Sequence, residues 1–188
     1  FFIFFMNNKK YILTGGPGVG KTTLINKLTF YGFPVIQEDA RQIIKEQSRV
    51  NGDGLPWKNK SLYANLMLEA SINSYQKSVE LSNEHPIFFD RGIPDALCYF
   101  NIENLPIALE KKTFAESLRY NPLVFILPPW AEIYETDTER KQTWEEAEKT
   151  FSIMKETYEN LKYTVLEVPK DSVENRIKFI FNSIESSE

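Results

Sequence analysis

The chain has 188 residues, of which 42% are hydrophobic and 26% are charged, and its formal net charge is −4. This composition excludes a disordered or fibrous chain and is typical of a globular domain with a full hydrophobic core. The negative net charge gives no reason to expect binding to nucleic acid or to an anionic membrane surface. Cys98 is the single cysteine, so no intrachain disulfide can form, and we expect a reducing, cytoplasmic location.

The first residues form an apolar run from Phe1 to Phe5. The run is too short for a membrane span and lacks the basic flank of a signal peptide. We interpret residues 1–6 as a disordered or extraneous extension, with Met6 as the natural start. No other targeting or membrane-spanning segment is visible in the sequence, and the length predicts a single domain over residues 1–188.

The first predicted strand, Lys10 to Thr14, leads directly into a glycine-rich loop. The loop fits the pattern G-x-x-x-x-G-K-[ST], and apolar residues at helical spacing follow it. Glycines remove side-chain bulk and allow positive φ angles, so backbone N–H groups can approach phosphates closely. We therefore predict a P-loop whose nucleotide-binding residues are Gly15, Gly16, Pro17, Gly18, Val19, Gly20, Lys21, Thr22 and Thr23.

Two side chains of the loop have predicted individual roles. Lys21 supplies a mobile positive charge for the β- and γ-phosphates, which makes it a catalytic candidate as well. The Thr22 hydroxyl is placed to ligate Mg²⁺. The loop thus predicts Mg²⁺ as cofactor and ATP or GTP as the bound nucleotide.

The second predicted strand, Phe33 to Ile36, leads into Glu38 and Arg41. In a parallel sheet Glu38 faces the same crevice as the P-loop, where it can accept a proton from a substrate hydroxyl. Arg41 lies three residues further on, where it can bind substrate or hold Glu38. The alternative is that Glu38 is only an acidic residue favoured by the dipole at a helix N-terminus.

Two helices are predicted next, from Ala40 to Val50 and from about Ser61 to Ser82, with Val79 among the residues on the apolar face of the second. The third strand, Ile87 to Asp90, then changes abruptly from apolar to acidic. Asp90 can hold Mg²⁺ through its water shell or orient a nucleophile, and Arg91 can bind a phosphoryl oxygen or a substrate anion. The alternative is that Asp90 caps the next helix and that Arg91 is its surface partner.

Asp95 lies one helical turn beyond Arg91, on a helix predicted from Ile93 to about Phe100. It is either a substrate contact or a structural partner of Arg91. A further helix is predicted from Ala108 to Leu118, and the fourth strand is Leu123 to Leu127.

The segment from Thr136 to Glu148 is dense in charged residues. We predict that residues 130–150 form a mobile lid whose Arg140 and Lys141 meet the transferring phosphoryl group as the site closes. The alternative is a solvated helix with an ion-paired face. A helix from Phe151 to Leu161 follows.

The last predicted elements are a fifth strand and a C-terminal helix. The strand runs from Thr164 to Val168, and the helix begins near Asp171, with Glu174 completing a capping box.

Strands alternate with helices along the whole chain. Such alternation predicts an α/β, three-layer P-loop NTPase fold with a mostly parallel five-stranded sheet, helices on both faces and a helical lid.

The chain resembles the P-loop AAA-type domain shared by the ribosylnicotinamide kinase portion of NadR and its relatives. Asp90-Arg91 is also similar to the Asp-Arg pair of thymidylate kinases. The resemblance implies ATP or GTP binding with Mg²⁺ but not the substrate of NadR, since this chain has no room for the adenylyltransferase domain of that protein. Its matching stretches are Gly15 to Thr22, Gln37 to Arg41, Asp90 to Asp95 and Tyr134 to Lys141.

Two functions are compatible with these motifs. The first is a kinase that transfers the γ-phosphoryl group to a small molecule such as a nucleoside or nucleotide. The second is a nucleotide-dependent switch or regulatory module that acts through a partner. The guanine-reading motif N-K-x-D would favour a GTPase switch, but Asn26-Lys27 and Asn59-Lys60 both lack the required Asp. The acid and arginine on the substrate side, together with the predicted lid, favour the kinase.

Overall fold

A computed structural model describes residues 8–81, 84–133 and 143–187. Within these ranges the chain alternates between strands and helices. The strands are β1 (Lys10–Gly15), β2 (Val35–Ile36), β3 (Ile87–Asp90), β4 (Leu123–Leu127) and β5 (Thr164–Glu167). The helices are α1 (Lys21–Phe30), α2 (Asp39–Arg49), α3 (Lys60–Ser78), α4 (Ile93–Ile102), α5 (Leu109–Ser117), α6 (Trp144–Asn160) and α7 (Val173–Glu185), with a 3₁₀ turn at Ala131–Ile133.

The five strands form one parallel sheet in the order β2-β3-β1-β4-β5. In this sheet β1 is central, with Leu13 in register with Asp90 of β3 and Gly15 in register with Leu127 of β4. The carboxyl ends of β1 and β3 therefore meet at one edge, which is where parallel α/β sheets bind ligands. The predicted α/β fold with a five-stranded sheet is confirmed.

Two hydrophobic clusters cover the two faces of the sheet. Ile12 of β1 packs in the cluster formed with α3, α4 and Tyr158 of α6. The next residue along the strand, Leu13, packs in the opposite cluster with α1 and α7. Because successive strand residues point to opposite faces, this alternation confirms the three-layer arrangement.

Two predicted element boundaries are wrong. The helix predicted to reach Ser82 ends at Ser78, where hydrogen bonds from the next three N–H groups, each to the carbonyl three residues earlier, tighten the chain into a 3₁₀-like turn. Val79, predicted on its apolar face, is 62% exposed. The second strand begins at Val35 rather than Phe33, because the N–H of Phe33 still bonds the end of α1 and Pro34 has no N–H to donate.

Two helix N-termini also differ from prediction. Helix α6 begins at Trp144, with a capping box between Thr143 and Glu146. Residues 144–149, most of which are charged, therefore form its first turns. Helix α7 is capped by Ser172, whose Oγ accepts from the N–H of Asn175. The predicted cap by Asp171 with Glu174 is therefore wrong. Among the helices of the described ranges, none is long and apolar enough to cross a membrane.

Candidate active site

The loop between β1 and α1 has the backbone geometry that a phosphate cradle requires. Gly15 has φ 151° and Gly20 has φ 80°, both in the region that favours glycine. A Cβ atom on Gly15 would lie 2.8 Å from the carbonyl oxygen of Leu127, and one on Gly20 would lie 2.9 Å from Nη1 of Arg176. Both positions therefore need glycine for their backbone conformation, and Gly15 needs it for space as well.

The N-terminus of α1 opens onto this loop. No side chain of the described residues caps it, and its first turn holds no acidic residue. Its first N–H groups and positive dipole end therefore favour an anion. Thr22 and Thr23 are exposed in this first turn, while the side chain of Lys21 is buried.

Lys21 extends from α1 to the acidic edge of the sheet. Its Nζ donates a hydrogen bond to Oδ1 of Asp90, and it lies 3.9 Å from Oε2 of Glu38. Burial lowers the pKa of Lys21, and the two carboxylates oppose that effect. The structure thus brings together three residues that were predicted as catalytic from separate parts of the sequence.

Glu38 lies at the centre of the charged cluster. Its Oε1 accepts from Nε of Arg91 at 2.8 Å, and its Oε2 lies 3.7 Å from Nε of the exposed Arg41. Burial acts to raise the pKa of Glu38, but the charges of Arg91, Lys21 and Arg41 outweigh it and lower that pKa. Glu38 precedes α2, yet its side chain accepts no capping hydrogen bond there. The contacts with three cations make it more than an acid favoured by the helix dipole.

Asp95 is held inside the protein by several donors. Its Oδ2 accepts from the backbone N–H of Gly92 at 2.8 Å and from the hydroxyl of Tyr158, and its Oδ1 accepts from the hydroxyl of Thr14. Nη1 of Arg91 is 3.4 Å from the same Oδ1. The acid that caps α4 is therefore Asp95, with Gly92 as the N-cap residue, and the alternative role of Asp90 as that cap is wrong. Asp95 was considered either as a substrate contact or as a structural partner of Arg91, and these contacts favour the structural role.

Arg176 of α7 lies beside the P-loop, and the sequence reasoning missed it. Its Nη2 donates to the carbonyl of Val19 at 3.1 Å, and its guanidinium lies 5.6 Å from the ring centroid of Trp130. It is 3% exposed, and within the described ranges its Nε has no hydrogen-bond partner. The sequence contains a feature that could have identified Arg176: a charged residue interrupts the apolar stripe of α7 between Val173 and Ile180.

A cavity of about 230 Å³ adjoins the charged cluster on the face covered by α2, α3, α4 and α6. Glu38, Asp90 and Arg91 lie in its wall. The wall also contains Asp39 and Ser74, which the sequence reasoning did not single out, and Ser74 Oγ donates to Asp39 Oδ1 at 2.9 Å. The cavity therefore adjoins the two carboxylates that Lys21 of the P-loop reaches. The candidates Arg140 and Lys141 lie outside the described residues.

The comparisons with known proteins agree with this geometry. Residues 10–176 match the sequence profile of the family described as AAA domain (AAA_28). A search among curated proteins gives no significant match.

Three solved structures illustrate the similarity of fold. NadR in complex with NR has a TM-score of 0.70 and 17% identity, covering 97% of this chain and 53% of that one. Thymidylate kinase from Candida albicans has a TM-score of 0.64 and 15% identity, covering 95% and 92%. Deoxyadenosine kinase from M. mycoides, with products dCMP and dCDP bound, has a TM-score of 0.58 and 16% identity, covering 94% and 99%. At these identities the likeness concerns the fold, and it confirms the predicted NadR-like, nucleoside-kinase-like P-loop NTPase. The chain therefore belongs to this AAA domain family and has the fold of the P-loop kinases.

Proposed function

We propose that the protein is a Mg²⁺-dependent kinase that transfers the γ-phosphoryl group of ATP or GTP to a hydroxyl of a small molecule. One observation carries this proposal: Glu38 and Asp90 line the cavity, and Lys21 of the P-loop reaches the same two carboxylates. A phosphoryl donor bound to the P-loop and a phosphoryl acceptor bound in the cavity would meet at these two carboxylates. A switch that only binds and hydrolyses nucleotide has no need for a cavity at this position.

The P-loop supplies the proposed donor site. Backbone N–H groups of the loop, which Pro17 alone cannot supply, and the N-terminus of α1 surround the triphosphate, and Lys21 moves from Asp90 to the β- and γ-phosphates. The triphosphate then competes with Asp90 for Lys21, so nucleotide binding frees the carboxylate for the reaction.

The donor atoms at the site suit Mg²⁺, which prefers oxygen ligands and takes one or two of them from the protein in kinase sites. The exposed hydroxyl of Thr22 and the carboxylate of Asp90 are the proposed holders of the ion. When bound, the ion supplies positive charge that offsets the charge of the transferring phosphoryl group.

The remaining residues act on the acceptor. Glu38 or Asp90 orients the acceptor hydroxyl and takes its proton, since both carboxylates lie in the cavity wall. Arg91 fixes Glu38 in place through its 2.8 Å hydrogen bond, and Arg41 lies at the exposed side of Glu38. We propose that Arg140, with Lys141, approaches the phosphoryl group from the segment before α6 and helps to exclude water.

A binding experiment tests the donor half of the proposal. Lys21→Ala removes the proposed phosphate ligand, and we expect isothermal titration to show at least about 100-fold weaker binding of Mg²⁺·ATP and Mg²⁺·GTP, as for the loss of a strong charge-assisted contact. Lys27→Ala on the same helix is the matched control, because Lys27 contacts only the exposed Glu174 among acidic residues of the described chain. Equal nucleotide affinity in the two variants would contradict the assignment of the loop.

A further inference from the structure

Asp95 lines the cavity beside the P-loop, yet protein groups already occupy its carboxylate. A carboxylate has about four acceptor positions. Oδ2 accepts from the N–H of Gly92 and from the hydroxyl of Tyr158. Oδ1 accepts from the hydroxyl of Thr14 and from Nη1 of Arg91. Within the described residues these four donors fill the four positions, so Asp95 contacts other protein groups rather than a ligand.

Helix capping accounts for only one of the two carboxylate oxygens. The cap of α4 needs the 2.8 Å bond from the N–H of Gly92 to Oδ2 of Asp95. Oδ1 has no part in that cap, and its donor Thr14 directly precedes the first glycine of the P-loop. A residue that served only as a helix cap would not need the second oxygen to be held as well.

The two hydroxyl donors come from opposite sides of Asp95 and are completely buried. Thr14 lies on β1 and Tyr158 on α6, and both are 0% exposed. Burial, together with the charge of Asp95, raises the pKa of Tyr158 well above its usual value, so that its hydroxyl remains a donor. Because β1 and α6 are fixed by the core, the carboxylate between them has a fixed orientation.

Arg91 lies between this fixed carboxylate and Glu38. Its Nη1 is 3.4 Å from Oδ1 of Asp95, and its Nε donates to Oε1 of Glu38 at 2.8 Å. A guanidinium is planar and rigid, so holding one nitrogen sets the direction in which the others donate. The position of Asp95 therefore determines where Arg91 directs its Nε.

Glu38 depends on Arg91 for its orientation. Among the described residues the one hydrogen bond to Glu38 comes from Arg91. The other two cations are further away, with Lys21 at 3.9 Å and the exposed Arg41 at 3.7 Å. Since a bound triphosphate would draw Lys21 towards the phosphates, Arg91 becomes the main partner of Glu38 when nucleotide is present.

We propose that Asp95 is a positioning residue, which fixes the guanidinium of Arg91 and through it the carboxylate of Glu38, and which is itself held by the hydroxyls of Thr14 and Tyr158. The effect on turnover rests on the proposed kinase function, whereas the effect on Arg91 does not. The alternative is that Asp95 contributes only to the stability of α4.

The first test follows Arg91 directly, without any substrate. In protein with ¹⁵N-labelled arginine, the Nε–H signal of Arg91 is the one that Arg91→Lys removes. Thr14→Val keeps the shape of the side chain and removes its hydroxyl. We expect the Nε–H of Arg91 to exchange with solvent at least about tenfold faster in this variant, as for the loss of a hydrogen bond to a charged group.

Two variants serve as controls for this exchange measurement. Thr14→Ser loses a buried methyl group but retains the hydroxyl, so the Nε–H of Arg91 should exchange as in the unaltered protein. Thr157→Val removes a buried hydroxyl from the residue next to Tyr158, where it donates to the carbonyl of Ile153 at 2.8 Å. This variant should also leave the exchange unchanged, even where it lowers stability.

The second test separates turnover from nucleotide binding. In phosphoryl transfer from ATP, Thr14→Val should lower kcat at least about tenfold, since a misplaced catalytic group slows the reaction. KM for ATP should stay unchanged, because the loop glycines and Lys21 remain. Thr14→Ser should restore kcat. A purely structural contribution would leave the turnover of the folded protein unchanged.

The outcomes separate this inference from the kinase proposal. If the exchange responds as expected but the unaltered protein transfers no phosphoryl group, the kinase proposal fails and the positioning of Arg91 by Asp95 stands. Unchanged exchange in Thr14→Val, or in Tyr158→Phe if the first variant does not fold, would overturn the inference. Faster exchange with full turnover would likewise contradict a positioning role in the reaction.

Discussion

Nε of Arg91 donates a hydrogen bond to Oε1 of Glu38 at 2.8 Å, which joins the end of β3 to the start of α2. Arg91 has φ 69°, in the left-handed region that non-glycine residues seldom adopt. Such strained residues are concentrated at functional sites, where the surrounding contacts hold them. Here the backbone N–H of Arg91 bonds the carbonyl of Leu13 at 3.0 Å, and its side chain bonds Glu38 and Asp95.

The first prediction concerns the pH dependence of this pair. The pKa of Glu38 is lowered from 4.5 in the folded protein because the nearby cations outweigh the effect of burial. A depressed folded pKa adds stability above the unfolded value, and this stability is lost as the pH falls through the folded value. In urea unfolding, the stability advantage of the unaltered protein over Glu38→Gln should therefore shrink below about pH 4.5. An advantage that is constant from neutral to about pH 3 would contradict the prediction.

The second prediction concerns Asp90. Asp90→Asn should lower the turnover number at least about 100-fold, because general base and charge effects of this kind contribute about 10² to 10⁴ in rate. Nucleotide affinity should change much less, since the P-loop and Lys21 remain. Steady-state kinetics and a nucleotide titration on the same preparation check both parts. Normal turnover would show that Asp90 only anchors Lys21.

The donor side of the site was predictable because its chemistry is encoded in one contiguous stretch. Gly15 and Gly20 are required by the local backbone conformation, and Gly15 also by space, so the loop pattern itself indicates the geometry. Glu38 and Asp90 were also predictable, because each lies at the carboxyl end of a strand of a parallel sheet. Their common contact with Lys21 follows from the same rule on strand ends.

The cavity side of the candidate site depends on tertiary packing, which the sequence pattern does not report. Ser74 is 35 positions from Asp39, and only the packing of α3 against α2 brings their side chains together. Asp95 could not be assigned for a similar reason, since Thr14 and Tyr158 approach it from different elements. The extent of α3 was overestimated because helical spacing alone placed Val79 on the buried face.

The third prediction tests the structural role of Asp95. Tyr158→Phe removes the hydroxyl that donates to Asp95 Oδ2 in the buried network. A hydrogen bond to a charged group contributes about 1.5–3 kcal/mol, so we expect a loss of that size in the free energy of unfolding. Tyr163→Phe is the control, because within the described residues its hydroxyl makes a single hydrogen bond, which it accepts at 3.4 Å from the N–H of Tyr120. Equal losses in the two variants would show that Asp95 does not depend on Tyr158.

The fourth prediction separates stability from binding at Arg176. Burial lowers the pKa of Arg176, and within the described ranges no carboxylate pairs with its guanidinium. Arg176→Met keeps most of the packing and removes the cost of burying the charge, so the free energy of unfolding should rise or stay unchanged. Affinity for Mg²⁺·ATP should nevertheless fall about tenfold, because the P-loop loses the bond to Val19 and a nearby positive charge.

Calorimetry and nucleotide titration measure the two effects independently. Lys178→Met, at an exposed position of the same helix, is the control and should change neither. Loss of stability together with unchanged nucleotide affinity would identify Arg176 as a packing residue only.

The most direct test of the kinase proposal follows both products of a reaction with γ-labelled ATP and Mg²⁺. The acceptors are small hydroxyl compounds, nucleosides among them, that raise the melting temperature of the protein in the presence of Mg²⁺ and a non-hydrolysable ATP analogue. A kinase should form ADP faster when the acceptor is present, with one labelled acceptor molecule for each ADP molecule. ADP formation at the same rate with and without acceptor, with the label recovered only as free phosphate, would contradict phosphoryl transfer and indicate a hydrolytic switch.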